Sequence, residues 1–236
     1  MSLRREVLEG GVLRLTLDRP KAANALDGAL HAALVATLDE AGRDDAVRAV
    51  LLAGAGGRVF SAGADLREEL GSETRRLRRE WLMRSLLAVL DCPKPLLAVI
   101  HGKAVGGGAM LALLADEVLM GQGAALSMPE IAIGMPSPVG IEIIAARGGR
   151  AAAQALVQGA ASMDAAGALA ARLADAVHAA DVLDNAALAR ARELGALDAR
   201  AYAANKAWMN AALRASMLRA ADHSATLSVK ETGDAH

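Results

Sequence analysis

Phe60-Ser61-Ala62-Gly63-Ala64-Asp65-Leu66 and Gly102-Lys103-Ala104-Val105-Gly106-Gly107-Gly108-Ala109-Met110 are the two stretches on which the reading of this chain turns. Each follows an apolar run that reads as a strand, and each leads into a helix-like stretch. Glycine at 63 permits a tight turn and exposes the amide of Ala64. The triple glycine permits close approach of backbone to a ligand, or close packing of a helix on a strand. Backbone N–H groups from two such turns can converge on one developing oxyanion. Taken singly, each stretch is also an ordinary strand-to-helix turn.

Outward from these turns the chain alternates strands and helices. Val12, Leu13, Leu15 and Leu17, around Arg14 and Thr16, give the partial alternation of an early strand. After a loop containing Pro20, the spacing of Leu30, Leu34 and Leu38 predicts a helix over 28–42. Residues 47–53 read as a buried strand ended by Gly54, Gly56 and Gly57, and a charged helical stretch covers about 66–91. Pro93 and Pro95 introduce a second buried strand, Leu96 to Ile100. Residues 109–115 read as helix, Val118 to Met120 as a short strand, and Leu126-Ser127-Met128 as a short extended piece closed by Pro129. From 141 onward the chain is alanine-rich and helical, with breaks expected at Gly148-Gly149, Gly159 and Gly167. The alternation argues for an α/β fold. We divide it into a core over 1–188 and a C-terminal helical region over 189–236, a lid or an assembly element.

The 236 residues suffice for a substantial core. Hydrophobic residues make up 54% and aromatics only 2%, so that core must be built from Ala, Leu and Val. A net charge of −1 gives no electrostatic grip on nucleic acid. Arg75, Arg76, Arg78 and Arg79 read as a solvated helix face. The single Cys92 excludes an internal disulfide or a Cys-based zinc cluster and reads as packing. Residues 95–115 are long enough to cross a bilayer, but His101, Lys103 and three glycines interrupt them. Strand, turn and buried helix fit better. The N-terminus lacks the apolar run of a signal peptide, so we expect a soluble, cytoplasmic protein without membrane contact.

Nucleotide motifs fail. Lys103 precedes the glycines, where a phosphate-binding loop needs it to follow them, and Leu111 stands where the dinucleotide fingerprint needs a glycine. Glu130 follows Pro129 and precedes Ile131-Ala132-Ile133-Gly134. Desolvation there would raise its pKa toward that of a useful base, although a cap or turn role fits the local sequence equally. Glu142 reads as structural, and Asp116 and Glu117 as an ion pair or cap. His101 reads as a satisfied core group. His31, His178, His223 and His236 lack ligand spacing, so no metal is expected.

Four segments together resemble the crotonase superfamily, the enoyl-CoA hydratase/isomerase group. They are Leu17-Asp18-Arg19-Pro20-Lys21-Ala22-Ala23-Asn24-Ala25-Leu26, Phe60 to Leu66, Gly102 to Gly108, and Met128-Pro129-Glu130 with Ile133-Gly134. The resemblance covers roughly residues 10–180. It implies a crotonase-like spiral of ββα units with a C-terminal helical extension. It implies a coenzyme A thioester as substrate, with no further cofactor, and assembly as a homotrimer or hexamer through the C-terminal helices. The amides of Ala64 and Gly107 match the oxyanion-hole donors of the family. Lys21 and Ala22, with Ala64, Asp65, Leu66 and Arg67, match the region that holds the CoA moiety.

One departure bears on the chemistry. Hydratases of the family carry a glutamate three residues after the middle glycine and another after the later proline. Here those positions hold Met110 and Glu130. Met110 cannot exchange a proton; with Pro136, Val139 and parts of 80–91 it reads as substrate-pocket wall or, equally, as core. A single glutamate resembles the Δ3,Δ2-enoyl-CoA isomerases of fatty-acid metabolism, with Glu130 as acid and base. A dienoyl-CoA isomerase would place an acid where Pro138 stands. Hydration by a single glutamate and acyl-CoA binding without turnover stay open as alternatives.

Overall fold

Leu96-Leu97-Ala98-Val99-Ile100 is buried at every position, the signature of a parallel strand covered on both faces. In the computed structural model, which describes residues 2–68 and 74–233, this strand lies inside a six-stranded sheet. The sheet runs β1 (Leu3–Leu8), β2 (Val12–Leu17), β3 (Ala49–Gly54), β5 (Leu96–Ile100), β7 (Glu117–Gly121) and β10 (Ala176–His178), parallel except for the β1–β2 pair. A second sheet is built from short strands, in the order β4 (Val59–Ser61), β6 (Lys103–Val105), β8 (Ala125–Ser127) and β9 (Ser162–Asp164).

The connections repeat. β3 passes to β4 and then to helix α2 (Thr74–Asp91), and β5 passes to β6 and then to α3 (Gly107–Leu113). β7 passes to β8 and, after a 3-10 turn over Pro129–Ile133, to α4 (Pro138–Ala153). Each turn of the chain contributes one long strand, one short strand and one helix, so the expected spiral of ββα units is present. Helix α1 (Gly28–Arg43) starts on Asp27, whose carboxylate accepts the Leu30 amide at 2.8 Å.

Period-two alternation divides the long strands between two apolar layers. Val50, Leu52, Ala98 and Ile100 face the main core with α1 to α4. Leu51, Ala53, Leu97 and Val99 face α6 (Leu183–Gly195) through Leu183, Ala187 and Ala191. The small residues of α6 let it lie close on the sheet, as a core poor in aromatics requires.

That packing corrects the boundary at 188/189. It cuts α6, which is part of the core, so the extension begins beyond Gly195 with α7 (Ala199–Gly233). Gly149 does break its helix, at φ +81°, but Gly167 lies inside α5 (Ala165–Ala170) and donates its amide to the Asp164 cap at 2.8 Å. The 102–108 segment is also not one turn: Lys103–Val105 form β6, and the turn is confined to the glycines. Of the expected 66–91 helix, 69–73 lie outside the described residues, as does His236, and 66–68 are not helical. Among the described residues no helix is long and apolar enough to cross a membrane.

Asp116 and Glu117 are the ion-pair and cap residues that their sequence suggests. Asp116 Oδ2 accepts the Leu96 amide at 2.8 Å and meets Lys206 Nζ of α7 at 2.7 Å, while Glu117 meets Arg190 at 2.6 Å. Lys206 is nearly buried and also donates to the Lys94 carbonyl. Removing one partner of such a pair strands the other charge. Lys206→Ala is expected to destabilise the protein by about 3 kcal/mol in urea unfolding. A loss below about 1 kcal/mol, the scale of an exposed pair, would show that α7 is anchored elsewhere.

Candidate active site

The site is framed by the segment 19–27. Ala23 and Asn24 take left-handed backbone angles, φ +52° and +53°, and asparagine tolerates that conformation. The buried Asn24 side chain donates to the carbonyls of Ala55 (2.9 Å) and Val59 (2.8 Å) and accepts the Arg19 amide (3.0 Å). Three backbone bonds then lace this segment to the first glycine loop: Ala62 to Ala23, Leu26 to Gly63, and Asp65 to Leu26. Arg19 completes the frame. Its guanidinium donates to the Ala25 carbonyl and lies 3.1 Å from Asp27 and 2.9 Å from Asp65.

The Asp65 side chain belongs to this frame. Burial opposes its ionisation. The hydrogen bonds from Arg19 and the Arg67 amide, with both guanidinium charges, outweigh that and hold the carboxyl below its usual range. Its side chain, amide and carbonyl are all engaged within the fold. Lys21, Leu66 and Arg67 are exposed, and Ala22 is half-buried, on the rim formed where the two laced segments meet. The sequence does not single out the frame residues Arg19, Asn24 and Asp27 by role. Arg19 and Asn24 lie in the family-like segment, but nothing local to them announces that they join loops distant in sequence.

The two glycine loops touch. Gly63 sits at φ +83°, and a Cβ placed there would lie 2.9 Å from the Val105 carbonyl oxygen and 3.4 Å from the Gly107 nitrogen. The exposed Ala64 and the first residue of α3, Gly107, are thus neighbours across the turn of the spiral. Among the described residues, neither the Ala64 nor the Gly107 amide has a protein acceptor. Gly108 seats the start of α3 against β4, since a Cβ there would lie 2.6 Å from that of Ser61. Leu26 and Leu82 close the apolar side of Gly107.

Glu130 reaches this cradle from the 3-10 turn after β8. Its Oε1 lies 2.5 Å from where a Cβ on Gly106 would stand, and Gly106 has φ +52°. Glu130 Oε2 is buried and has no hydrogen-bond partner among the described residues. Burial pushes its pKa above the ordinary carboxylate value, only partly offset by a backbone hydrogen bond. Met110, 4% exposed, continues the wall one helical turn from Gly106, and its Cε lies 3.2 Å from where a Gly140 Cβ would stand. Pro138 opens α4. Ile131, the residue after Glu130, lines a cleft of about 430 Å³ with Met135, Pro136, Ile141, Val157 and His223. Val139 packs partly buried against the main core instead.

His31 is buried against Ser85 at 2.8 Å, and burial lowers its pKa to about 4. His101 Nε2 meets Asp184 at 3.3 Å. Among the described residues no group of three or more His, Cys, Asp or Glu side chains could hold a metal.

The sequence model for the enoyl-CoA hydratase/isomerase family matches residues 8–235, and the chain belongs to that family. It is similar to a putative enoyl-CoA hydratase of Thermus thermophilus, 38% identical over 160 residues, 65% of this chain and 63% of that protein. It is also similar to the 1,2-epoxyphenylacetyl-CoA isomerase of Escherichia coli, 36% identical over 160 residues, 63% of this chain and 59% of that one. The match thus spans less than two thirds of either curated relative. Among solved structures, an enoyl-CoA hydratase/isomerase from Pseudoalteromonas atlantica superposes with a TM-score of 0.87 at 28% identity, covering 100% of this chain and 93% of that one.

A raised folded pKa contributes stability below the unfolded value, and that contribution is lost as pH rises through the folded value. Glu130→Gln should therefore melt higher than the wild type at pH 7, with the difference shrinking as pH falls toward 4.5. Equal melting temperatures across that range would show that the carboxylate is solvated. Gly106→Ala combines an unfavourable φ with a Cβ 2.5 Å from Glu130 Oε1. It should displace the carboxylate and lower any Glu130-dependent turnover by at least ~100-fold.

Proposed function

We propose that this member of the enoyl-CoA hydratase/isomerase family works through a thioester enolate, as a Δ3,Δ2-enoyl-CoA isomerase with Glu130 as acid and base. The observation that carries the reading is the buried carboxylate of Glu130, set against Gly106 with its Oε2 unpartnered among the described residues, and Met110 where a second acid would stand. The thioester carbonyl of a 3-enoyl-CoA accepts hydrogen bonds from the Ala64 and Gly107 amides. Glu130 removes a proton from C2, and the electron pair of that C–H bond passes into a dienolate whose oxygen the amides hold. Glu130 then returns the proton at C4, and the double bond comes to lie between C2 and C3. One base serves both transfers because C2 and C4 lie two bonds apart on one chain.

The coenzyme A thioester is substrate, and proton transfer needs no further cofactor. Lys21, Ala22, Leu66 and Arg67 are the rim residues proposed to meet the CoA moiety. The Asp65 side chain serves through the frame. We place assembly between copies of the chain on α7, where Trp208 and Met209 are 84% and 79% exposed, an apolar surface that a neighbouring copy would cover.

Purified protein is to be assayed with 3-hexenoyl-CoA and crotonyl-CoA beside Glu130→Gln. Double-bond migration should be present in the wild type and lower by about 10²–10⁴-fold in the variant. It should depend on one ionisation at a pH above 4.5, falling on the acid side. Crotonyl-CoA hydration outpacing migration would replace the isomerase by a hydratase. Binding without turnover of either substrate would leave an acyl-CoA-binding protein.

A further inference from the structure

A trans peptide carries its N–H and its C=O on opposite sides, so fixing one fixes the direction of the other. The peptide that holds the Ala64 N–H also holds the Gly63 carbonyl, and that carbonyl accepts the Leu26 amide at 2.8 Å. The Ala64 N–H therefore points away from Leu26. The next peptide is fixed from the same residue, since the Asp65 amide donates to the Leu26 carbonyl at 3.0 Å. Leu26 and Ala64 thus form an isolated parallel bridge outside the named strands. The other donor is set differently. The Gly106 carbonyl, in the peptide that holds the Gly107 N–H, accepts the Met110 amide at 3.0 Å as α3 begins. A helix aims Gly107, whereas a bridge of one residue pair aims Ala64.

Such a bridge lacks the neighbouring pairs that steady a strand, and a side chain stands in for them. Arg19 Nη1 donates to the Ala25 carbonyl at 2.6 Å, and Nη2 lies 3.1 Å from Asp27 and 2.9 Å from Asp65. Residues 25 and 27 flank Leu26, and residue 65 follows Ala64, so one guanidinium clasps both sides of the bridge. Asn24 holds the backbone of Arg19 in turn: its side chain accepts the Arg19 amide, and its own amide donates to the Arg19 carbonyl at 2.9 Å. Arg67 approaches Asp65 only at 3.5 Å and from the exposed side. A lysine at 19 would keep the charge but lack the planar fork that meets several acceptors at once.

We propose that Arg19 is the positioning residue of the Ala64 oxyanion donor, with Asp65 as the counter-charge through which it acts. This rests on the acyl-thioester reading above, in which the Ala64 and Gly107 amides hold the carbonyl oxygen. It assigns the alignment of one of those amides to a side chain that works only through the backbone.

Isotope-edited infrared spectra of bound butyryl-CoA, labelled at its thioester carbonyl, test this on the wild type, Arg19→Lys and Asp65→Asn. Binding to the wild type should lower the carbonyl stretching frequency. Arg19→Lys should keep about half of that shift, the part due to Gly107, and its kcat on 3-hexenoyl-CoA should fall by about 10²-fold, the loss of one oxyanion donor. KM should stay within about threefold, because the lost interaction is strongest in the transition state. A full wild-type shift in Arg19→Lys overturns the role of Arg19 even where kcat falls, since a merely structural defect leaves the carbonyl polarised. So does a raised KM with unchanged kcat. If Arg19→Lys does not fold, Asp65→Asn, which keeps the shape and removes the ion pair, decides by the same criteria. A wild type that binds no butyryl-CoA, or binds it without a shift, overturns the acyl-thioester reading and this inference together.

Discussion

The close approach of the Gly63 turn to the backbone of Val105 and Gly107 is the contact on which the rest of the site depends. It exists because the spiral brings successive strand-to-helix passages to one edge, and because Gly63 carries no side chain to meet the Val105 carbonyl 2.9 Å away. Everything around it serves to hold that approach. Gly108 lets α3 start against Ser61, the buried Asn24 ties its own loop to Ala55 and Val59, and Arg19 joins Asp27 to Asp65. The outcome is two neighbouring amides that, among the described residues, have no protein acceptor.

Two carboxylates near this cradle show how environment divides roles. Both are burdened by desolvation. Asp65 has Arg19, Arg67 and a backbone amide to offset it and stays ionised as part of the frame. Glu130 has no cation among the groups that shift it, so burial prevails and its affinity for a proton rises. The arrangement suits a group that must take a proton and return it within one turnover. The family to which the chain belongs includes both hydratases and isomerases. The isomerase proposed here rests on Met110 standing where a second acid would be, beside the buried Glu130.

Much of this was legible in the sequence where the signal is strong and local. The unbroken run Leu96 to Ile100 reads as a buried strand because no polar residue interrupts it, and the glycines at 63 and 106–108 mark turns that a Cβ would obstruct. Glu130 between Pro129 and Ile131 could be read as desolvated. The second sheet was hidden, because β4, β6 and β9 have three residues each, too few for a period to show. The edge between core and extension was hidden because helical, alanine-rich sequence continues through α6 and α7 with only residues 196–198 between them.

The central claim is that Glu130 and the two glycine-loop amides together make a thioester enolate. Breaking of a C2–H bond measures that step directly. 3-Hexenoyl-CoA dideuterated at C2 would be incubated in ordinary water and both recovered substrate and product analysed by mass spectrometry and NMR. The wild type should remove one deuteron from C2, either carrying it to C4 of the product or releasing it to water, and Glu130→Gln should do so only at the uncatalysed rate. Bound substrate that keeps both deuterons at C2 in the wild type, or loses one equally fast in the variant, would contradict it.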